Sequence, residues 1–526
     1  MHTMARVTRT EELRVRLLGS RALTLTPQQR LWGWLGPLIF AAIGGLLRFW
    51  SLGRPSRLMF DETYYVKQGV SMLRFGVEMR VAEDLDEPDD LWNAGNQEIW
   101  GTIGDFVVHP PVGKWVIAFG EWLFGTTSPF GWRFSMALLG TISILIIGRV
   151  ALRLFHSTLL ATVAAFLLAF EGHHFTHSRI GLLDLTVMFF ALAAFAALLI
   201  DRDGSRELLA AKVGALPSGA SLKYGPWLGW RPWRWVAGIM LGLCVGTKWS
   251  GLYVLAVFGL MTVLWDVGAR RAAGVRHWLV SGLVKDGPFA FLAIVGTALV
   301  TYVLSWTGWF RSSAGYHRTW SAENPSTDHG WIPDSLRSLW KYHESAYAFH
   351  VGLESEHPYM ANPWSWLVQG RPTSFFYESP EGAECGADRC SQAITSLGTL
   401  PIWWLATVAL AFLLYHWALR RDWRAGAILA GFVAMYLPWF MYQERTIYAF
   451  YAVSFAPFVV LAATFLLGLI LGRDDDSFRR RQLGLLAVGL FCLLVLITFA
   501  FFWPVWTAQV ISYEQWRLRM WFPSWI

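Results

Sequence analysis

The stretch LWGWLGPLIFAAIGGLLRF, residues 31–49, decides the fold. A hydrocarbon core about 30 Å thick asks a helix for about 20 apolar residues, and this run supplies them with only Arg48 as a charge, at its far end. Arg6, Arg9, Arg14, Arg16, Arg21 and Arg30 precede it. No small-residue cleavage site follows, so the run reads as an uncleaved first span and not as a signal peptide. Basic segments stay in the cytoplasm, which predicts a cytoplasmic segment 1–30 and a chain that emerges on the outer side after Phe49.

Outward from that stretch, further apolar blocks lie near 135–150, 158–174, 181–200, 236–248, 249–266, 289–307, 400–419, 425–441, 448–471 and 483–503. The segment 236–266 is long for one helix and short for two. Charge settles the count, because Arg202, Arg206, Lys212, Lys223, Arg231 and Arg234 precede it and Arg270, Arg271, Arg276 and Lys285 follow it. Both flanks read as cytoplasmic, so the chain crosses twice between them, with Lys248 near the outer turn. The expected fold is an all-α polytopic membrane protein of about eleven spans. Its parts are a cytoplasmic segment 1–30, a transmembrane module 31–307 that includes an outer loop 51–134, a large outer loop 308–400, C-terminal helices 401–503 and an outer tail 504–526.

Composition excludes a soluble enzyme. Charged residues make up 15% of the chain, against about 25% in a soluble domain, and 32 Trp and 36 Phe suit aromatic belts at two water interfaces. The formal charge of +7 is not a nucleic-acid footprint. Segments 51–114 and 308–400 are acidic, with six basic against eleven acidic and six against ten, so the remainder holds 32 basic and 16 acidic residues. That excess sits in inner loops. KWVIAFGEWLFG, after Pro111, is too short to cross, and Lys114 and Glu121 suit a helix lying in the outer interface. Cys244 and Cys492 fall within spans. Cys385 and Cys390 lie in an outer loop, where a local disulfide, free thiols or a metal site are the options; two Cys without converging His argue against zinc.

Chemistry gathers at the outer ends of the spans. RLMFDETYYVKQG places the adjacent acids Asp61 and Glu62 about ten residues past the first span, with Tyr64 beside them. Two loop acids are ordinarily just solvated. Here they share a loop with HPPVGK, a rigid turn of Pro110 and Pro111 presenting His109 and Lys114, and a carboxylate at the headgroup plane can take a proton from an incoming hydroxyl. Arg179 in HHFTHSRIGLLD, Lys248 in GTKWSG and Arg445 in YQERTIYAFYAVSF are cations at outer span ends, with Arg48 nearby. Each either snorkels to headgroups or binds a fixed anion such as a lipid phosphate. Asp184, one turn past Arg179, is a possible partner for it. His173, His174 and His177 offer a metal pattern without a local acidic or Cys ligand, and the loop 308–400 is rich in aromatic and imidazole rings (Trp320, His329, Trp331, His343, His350, His357).

Five motifs in one order resemble the protein O-mannosyltransferase family in its actinobacterial form: the Asp61-Glu62 pair, HPPVGKW, HSRIGLLD, GTKWSG and RTIYAFYAVSFAP. The resemblance spans most of the chain. It implies a GT-C bundle in a bacterial plasma membrane that moves mannose from polyprenyl-phosphate mannose to Ser or Thr hydroxyls of unfolded exported proteins, delivered by the secretion translocon. It gives Asp61 the place of the catalytic base, and Glu62 that of a residue positioning acceptor or sugar. Arg179, Lys248 and Arg445 resemble the donor-phosphate cations, with Arg48, Asp184, Tyr448 and Tyr451 in the donor region and Tyr64, His109, Pro110, Pro111 and Lys114 supporting acceptor or loop. The β-trefoil modules of eukaryotic members have no room in loop 308–400. No metal is assigned and no cofactor is implied beyond the lipid co-substrate and the membrane lipids, with divalent-metal dependence open. Asp84-Leu85-Asp86 has an Asp-x-Asp spacing but lies in a very acidic run. The rivals are a GT-C transferase acting on a glycolipid or cell-wall glycan, and a lipid transporter, against which stands the lack of an inverted repeat.

Overall fold

The computed structural model describes residues 8–19, 24–217, 219–325 and 330–526; Arg6, Arg21 and His329 lie outside them. Among the described residues, nine helices are long and apolar enough to cross a bilayer, from Pro27–Phe49 to Phe478–Val505, and two shorter apolar helices, Thr158–Ala169 and Pro232–Val245, complete the set. Each of the eleven expected spans has its helix. The first packs against Pro129–Phe155 and Thr158–Ala169 through small residues: a Cβ added at Gly36 would sit 2.0 Å from Thr162 Oγ1, so only glycine lets the backbones approach.

The 236–266 stretch is indeed two helices, Pro232–Val245 and Gly251–Ala272, with Lys248 in the break. Two boundaries differ from expectation. The span begun at 158 ends at Ala169 instead of 174, because Glu171 accepts from the backbone of His173, His174 and Thr399 and from Trp403 Nε1, starting the separate short helix Gly172–His177. The helix Asp184–Gly214 runs well past residue 200, because Leu209, Ala210 and Val213 bury against Leu13 and Leu17 of the N-terminal helix Arg9–Leu18.

That end of the bundle is clamped by charge. Arg231 and Arg234 both pair with Asp201 and Asp266, and Arg270 pairs with Asp286, all nearly inaccessible. Three of the basic residues assigned to inner loops are buried here, each paired with an acid from another part of the chain.

At the other end the two acidic segments pack on each other. Arg57 pairs with Glu378 at 2.5 Å, Tyr342 Oη donates to the Val107 carbonyl at 2.9 Å, and a small antiparallel sheet of Thr373–Glu378, Cys390–Ser396 and Ile511–Ser512 ties in the C-terminal tail. Cys385 and Cys390 form a disulfide next to that sheet. The segment after Pro111 is the helix Val112–Phe124, 13 residues and too short to cross, as expected. Lys114 and Glu121 are buried, while Phe119, Trp122 and Leu123 are exposed, so the apolar face points outward and the charges point in. Burial alone drives the Glu121 carboxyl well above the usual carboxylate range.

Candidate active site

Asp61 occupies the N-cap position of the helix Glu62–Phe75, yet its carboxylate makes no capping bond and remains available. Two neighbours aim it. Phe60 holds a left-handed φ of 48°, which costs about 1–3 kcal/mol for a bulky residue, and its ring is fixed against Phe375 (5.0 Å between centroids) and Phe450 (5.4 Å). Glu62 is wholly buried and bidentate to Arg133, with Nε to Oε1 and Nη2 to Oε2 both 2.8 Å. The backbone N–H groups of Gly181 and Met59 donate to the same carboxylate. Arg133 also donates to the carbonyls of Leu52, Pro55 and Arg57, knitting the exit of the first span to the start of the next helix. Glu62, expected to position acceptor or sugar, has each carboxylate oxygen engaged by Arg133 and a backbone N–H, so its contacts are internal to the protein.

A cavity of about 510 Å³ has walls that include His109, Asp184, Lys248, Trp249, His350, Arg445 and Tyr451, and two of these, Lys248 and Asp184, are close enough to act on the Asp61 charge. Lys248 Nζ is 2.8 Å from Asp184 Oδ2 and 5.3 Å from the centre of the Tyr451 ring. Lys248 is thus neither a headgroup snorkel nor unpaired. Asp184 was a possible partner for Arg179; it is the partner of Lys248. Burial pushes the Asp61 carboxyl up to about 6; Lys248 opposes this and Asp184 adds to it. Tyr448 stacks on Phe450 (5.5 Å, 24°) and is close enough to feel the Asp61 charge.

The HPPVGK turn is docked into the Lys248 break by a bond from Val112 N–H to the Gly246 carbonyl, 2.9 Å. Pro110 and Pro111 shape that turn, and Lys114, paired with Glu78 and bonded to the His109 carbonyl at 2.9 Å, anchors it from beneath. His109 lies over His350 with ring centres 5.2 Å apart; its Nδ1 is buried without a hydrogen-bond partner among the described residues. Burial and the surrounding cations hold it well below the usual imidazole range, so it is neutral. Tyr64 is largely exposed.

Two expected phosphate cations are placed elsewhere. Arg179 donates to the carbonyls of Leu47, Arg48, Trp50 and Ser51, satisfying the orphan groups at the end of the first span's helix. Arg48 is fully buried between Gly44, Leu168, Ala169, Ser178 and His174. Both lie outside the cavity wall, and both face backbone carbonyls. His174 is absorbed by Arg48 and Ser143, and His173 and His177 converge on Ser396; among the described residues no group of three metal-ligating side chains comes together. Asp84 and Asp86 are exposed.

Arg133 and His350 are the residues the sequence reading missed as site components. Arg133 had a signal, being the one basic residue between Lys114 and Arg149, beside apolar helix. His350 had none beyond membership of an aromatic loop. It reaches the site because the helix Asp334–Val351 folds back over the bundle, with His343 stacked on Trp249 (5.4 Å, 25°) and bonded to Tyr302 at 2.6 Å.

The helical bundle carries a carboxylate at one end, near a cavity with cations in its wall, and solved transferase structures share this fold. The fold is similar to the Saccharomyces cerevisiae protein O-mannosyltransferase Pmt1-Pmt2 complex bound to the sugar donor, at a TM-score of 0.71 and 14% identity over 99% of this chain and 95% of that one. It is also similar to the Archaeoglobus fulgidus oligosaccharyltransferase AglB, at a TM-score of 0.51 and 14% identity over 93% of this chain and 57% of that one. Sequence narrows the class. Residues 38–301 match the family model of the dolichyl-phosphate-mannose-protein mannosyltransferases, and residues 335–525 match the C-terminal four-span region of protein O-mannosyltransferases. The polyprenol-phosphate-mannose–protein mannosyltransferase of Mycolicibacterium smegmatis is 39% identical over 95% of this chain and 94% of its own length, and that of Mycobacterium tuberculosis 36% over 95% and 93%. The chain belongs to the protein O-mannosyltransferase family.

Proposed function

We propose that this protein moves mannose from polyprenyl-phosphate mannose to Ser or Thr hydroxyls of exported proteins, by single displacement with inversion, at the non-cytoplasmic face of the plasma membrane. The observation that carries the reading is the uncapped Asp61 carboxylate within electrostatic reach of Lys248, which with Arg445 lines the cavity. The names of the homologues support the donor and the acceptor class, and the acidic outer loops and basic inner ones support the sidedness, with the N-terminus cytoplasmic. Acceptors emerging unfolded from the translocon would reach Asp61 before their hydroxyls are buried.

In this reading Asp61 takes the hydroxyl proton as the acceptor oxygen attacks the anomeric carbon. The bond from that carbon to the phosphate oxygen breaks, its electron pair stays on the phosphate, and Arg445 with Lys248 stabilises the growing charge. Asp184 holds Lys248 in place and keeps the empty site near neutrality, while Tyr451 closes one side. Incubating the purified protein with labelled polyprenyl-phosphate mannose and a Ser/Thr-rich peptide tests this: labelled peptide is expected, whereas label only in glycolipid or glycan favours the rival transferase.

The raised proton affinity of Asp61 sets the pH response. Below about pH 6 the carboxyl is protonated and accepts nothing; above it the base is free. A profile of kcat/KM between pH 5 and 8 is expected to rise through an acid limb with a midpoint near 6, about two units above an ordinary Asp. A flat profile down to pH 5 would remove Asp61 as the base.

A further inference from the structure

We infer that His350, on the long loop between the two transmembrane halves, positions Arg445 for the donor phosphate, so that donor recognition depends on the docked loop. The inference rests on the reading of Arg445 as a phosphate ligand and assigns a positioning role to His350, a cavity-wall residue both of whose ring nitrogens are engaged by the protein.

Geometry fixes the state of the imidazole. His350 Nε2 lies 2.8 Å from the Val108 carbonyl oxygen, which only accepts, so Nε2 carries a hydrogen. Nδ1 lies 3.2 Å from Arg445 Nη2, which only donates, so Nδ1 carries the lone pair. One neutral tautomer satisfies both contacts; a doubly protonated ring would meet the guanidinium with a second donor. Burial, with Arg445 and Lys248 adding to it, lowers the His350 proton affinity to about 4 against the bond to Val108, consistent with a ring that stays neutral. Both nitrogens being occupied, His350 is neither a base nor an acid for the transfer.

The contact orients Arg445. With Nη2 drawn to His350, Nε is left buried with no hydrogen-bond partner among the described residues, on a side chain that lines the cavity. An unsatisfied buried guanidinium N–H is costly in an empty site and favourable once an anion arrives. The linkage also crosses three segments: Val108 from the first outer loop, His350 from the second, and Arg445 before the Ala449–Leu471 span. The ring is wedged between His109 and Trp249, both cavity residues, so the loop's last helical turn is seated in the site wall. Tyr342 and His343, earlier on that helix, hold it down at Val107 and Trp249.

A double-mutant cycle tests this on the full-length protein in detergent or membranes, with KM for polyprenyl-phosphate mannose and kcat at saturating donor as readouts. H350A is expected to raise the donor KM about tenfold, and R445A about 100-fold, with kcat for H350A within about threefold of wild type and acceptor-peptide KM unchanged. The double variant should match R445A alone, since a residue acting only through Arg445 has nothing left to act on. H350Q can donate to Val108 and accept from Arg445 and is expected to recover most of the donor affinity. If H350A weakens binding multiplicatively on top of R445A, or if H350A and H350Q both leave the donor KM unchanged, the positioning role is overturned. If R445A itself leaves the donor KM unchanged, the phosphate reading of Arg445 falls first. A general structural defect would show as equal losses in donor and acceptor KM and no recovery in H350Q, which also rejects the inference.

Discussion

Replacing Asp61 by Asn is expected to lower kcat by about 10²–10⁴-fold while leaving membrane insertion, melting temperature and donor KM near wild type. Asn keeps the shape and removes only the proton acceptor. The expectation depends on what Asp61 does not do: it caps no helix through its side chain, so nothing structural rests on its charge. The acid limb near pH 6 should vanish from whatever activity remains. Radiolabel transfer by purified variants, with thermal melting alongside, checks both parts. Full transfer activity in D61N would remove Asp61 as the base of the reaction.

The neighbouring carboxylate behaves in the opposite way. Glu62→Ala or Arg133→Ala is expected to destabilise the protein by about 3–5 kcal/mol, because either change strands an opposite charge in a site with no accessible surface. Activity should fall as Asp61 loses its backbone anchor. The double variant Glu62→Gln with Arg133→Met should be more stable than Arg133→Ala, since it leaves no unpaired charge, yet it should remain poorly active. Thermal unfolding in detergent measures the first statement and peptide mannosylation the second. Equal stability of wild type and Arg133→Ala would show that the pair is not the latch described above.

These two acids show how far the sequence was legible. Hydrophobic length and loop charge gave the eleven spans, the double crossing at 236–266 and the clustering of motifs at one end, since bilayer thickness and loop sign act on local sequence. Whether Asp61 or Glu62 is free could not be read from adjacency. That depends on Arg133, 71 positions away from Glu62. The same limit applies to the cations. Arg179, Lys248 and Arg445 look alike as basic residues at span ends. Arg179 is consumed by the carbonyls of a helix end that arrives from another part of the chain, whereas Lys248 meets Asp184 and Arg445 meets His350. The partner of Lys114 in the helix Val112–Phe124 was beyond reach for a related reason, because Lys114 meets Glu78 only once the acidic loop has folded over it.

The stereochemistry of transfer tests the central claim most directly. Purified protein supplied with polyprenyl-phosphate mannose and a Ser/Thr-rich peptide should yield O-linked mannose of the anomeric configuration opposite to that of the donor, read by NMR of the glycopeptide. One carboxylate taking a proton while the phosphate departs from the far side of the sugar permits only that outcome. Retained configuration would require a covalent sugar intermediate or a second nucleophile, and would contradict the role given to Asp61.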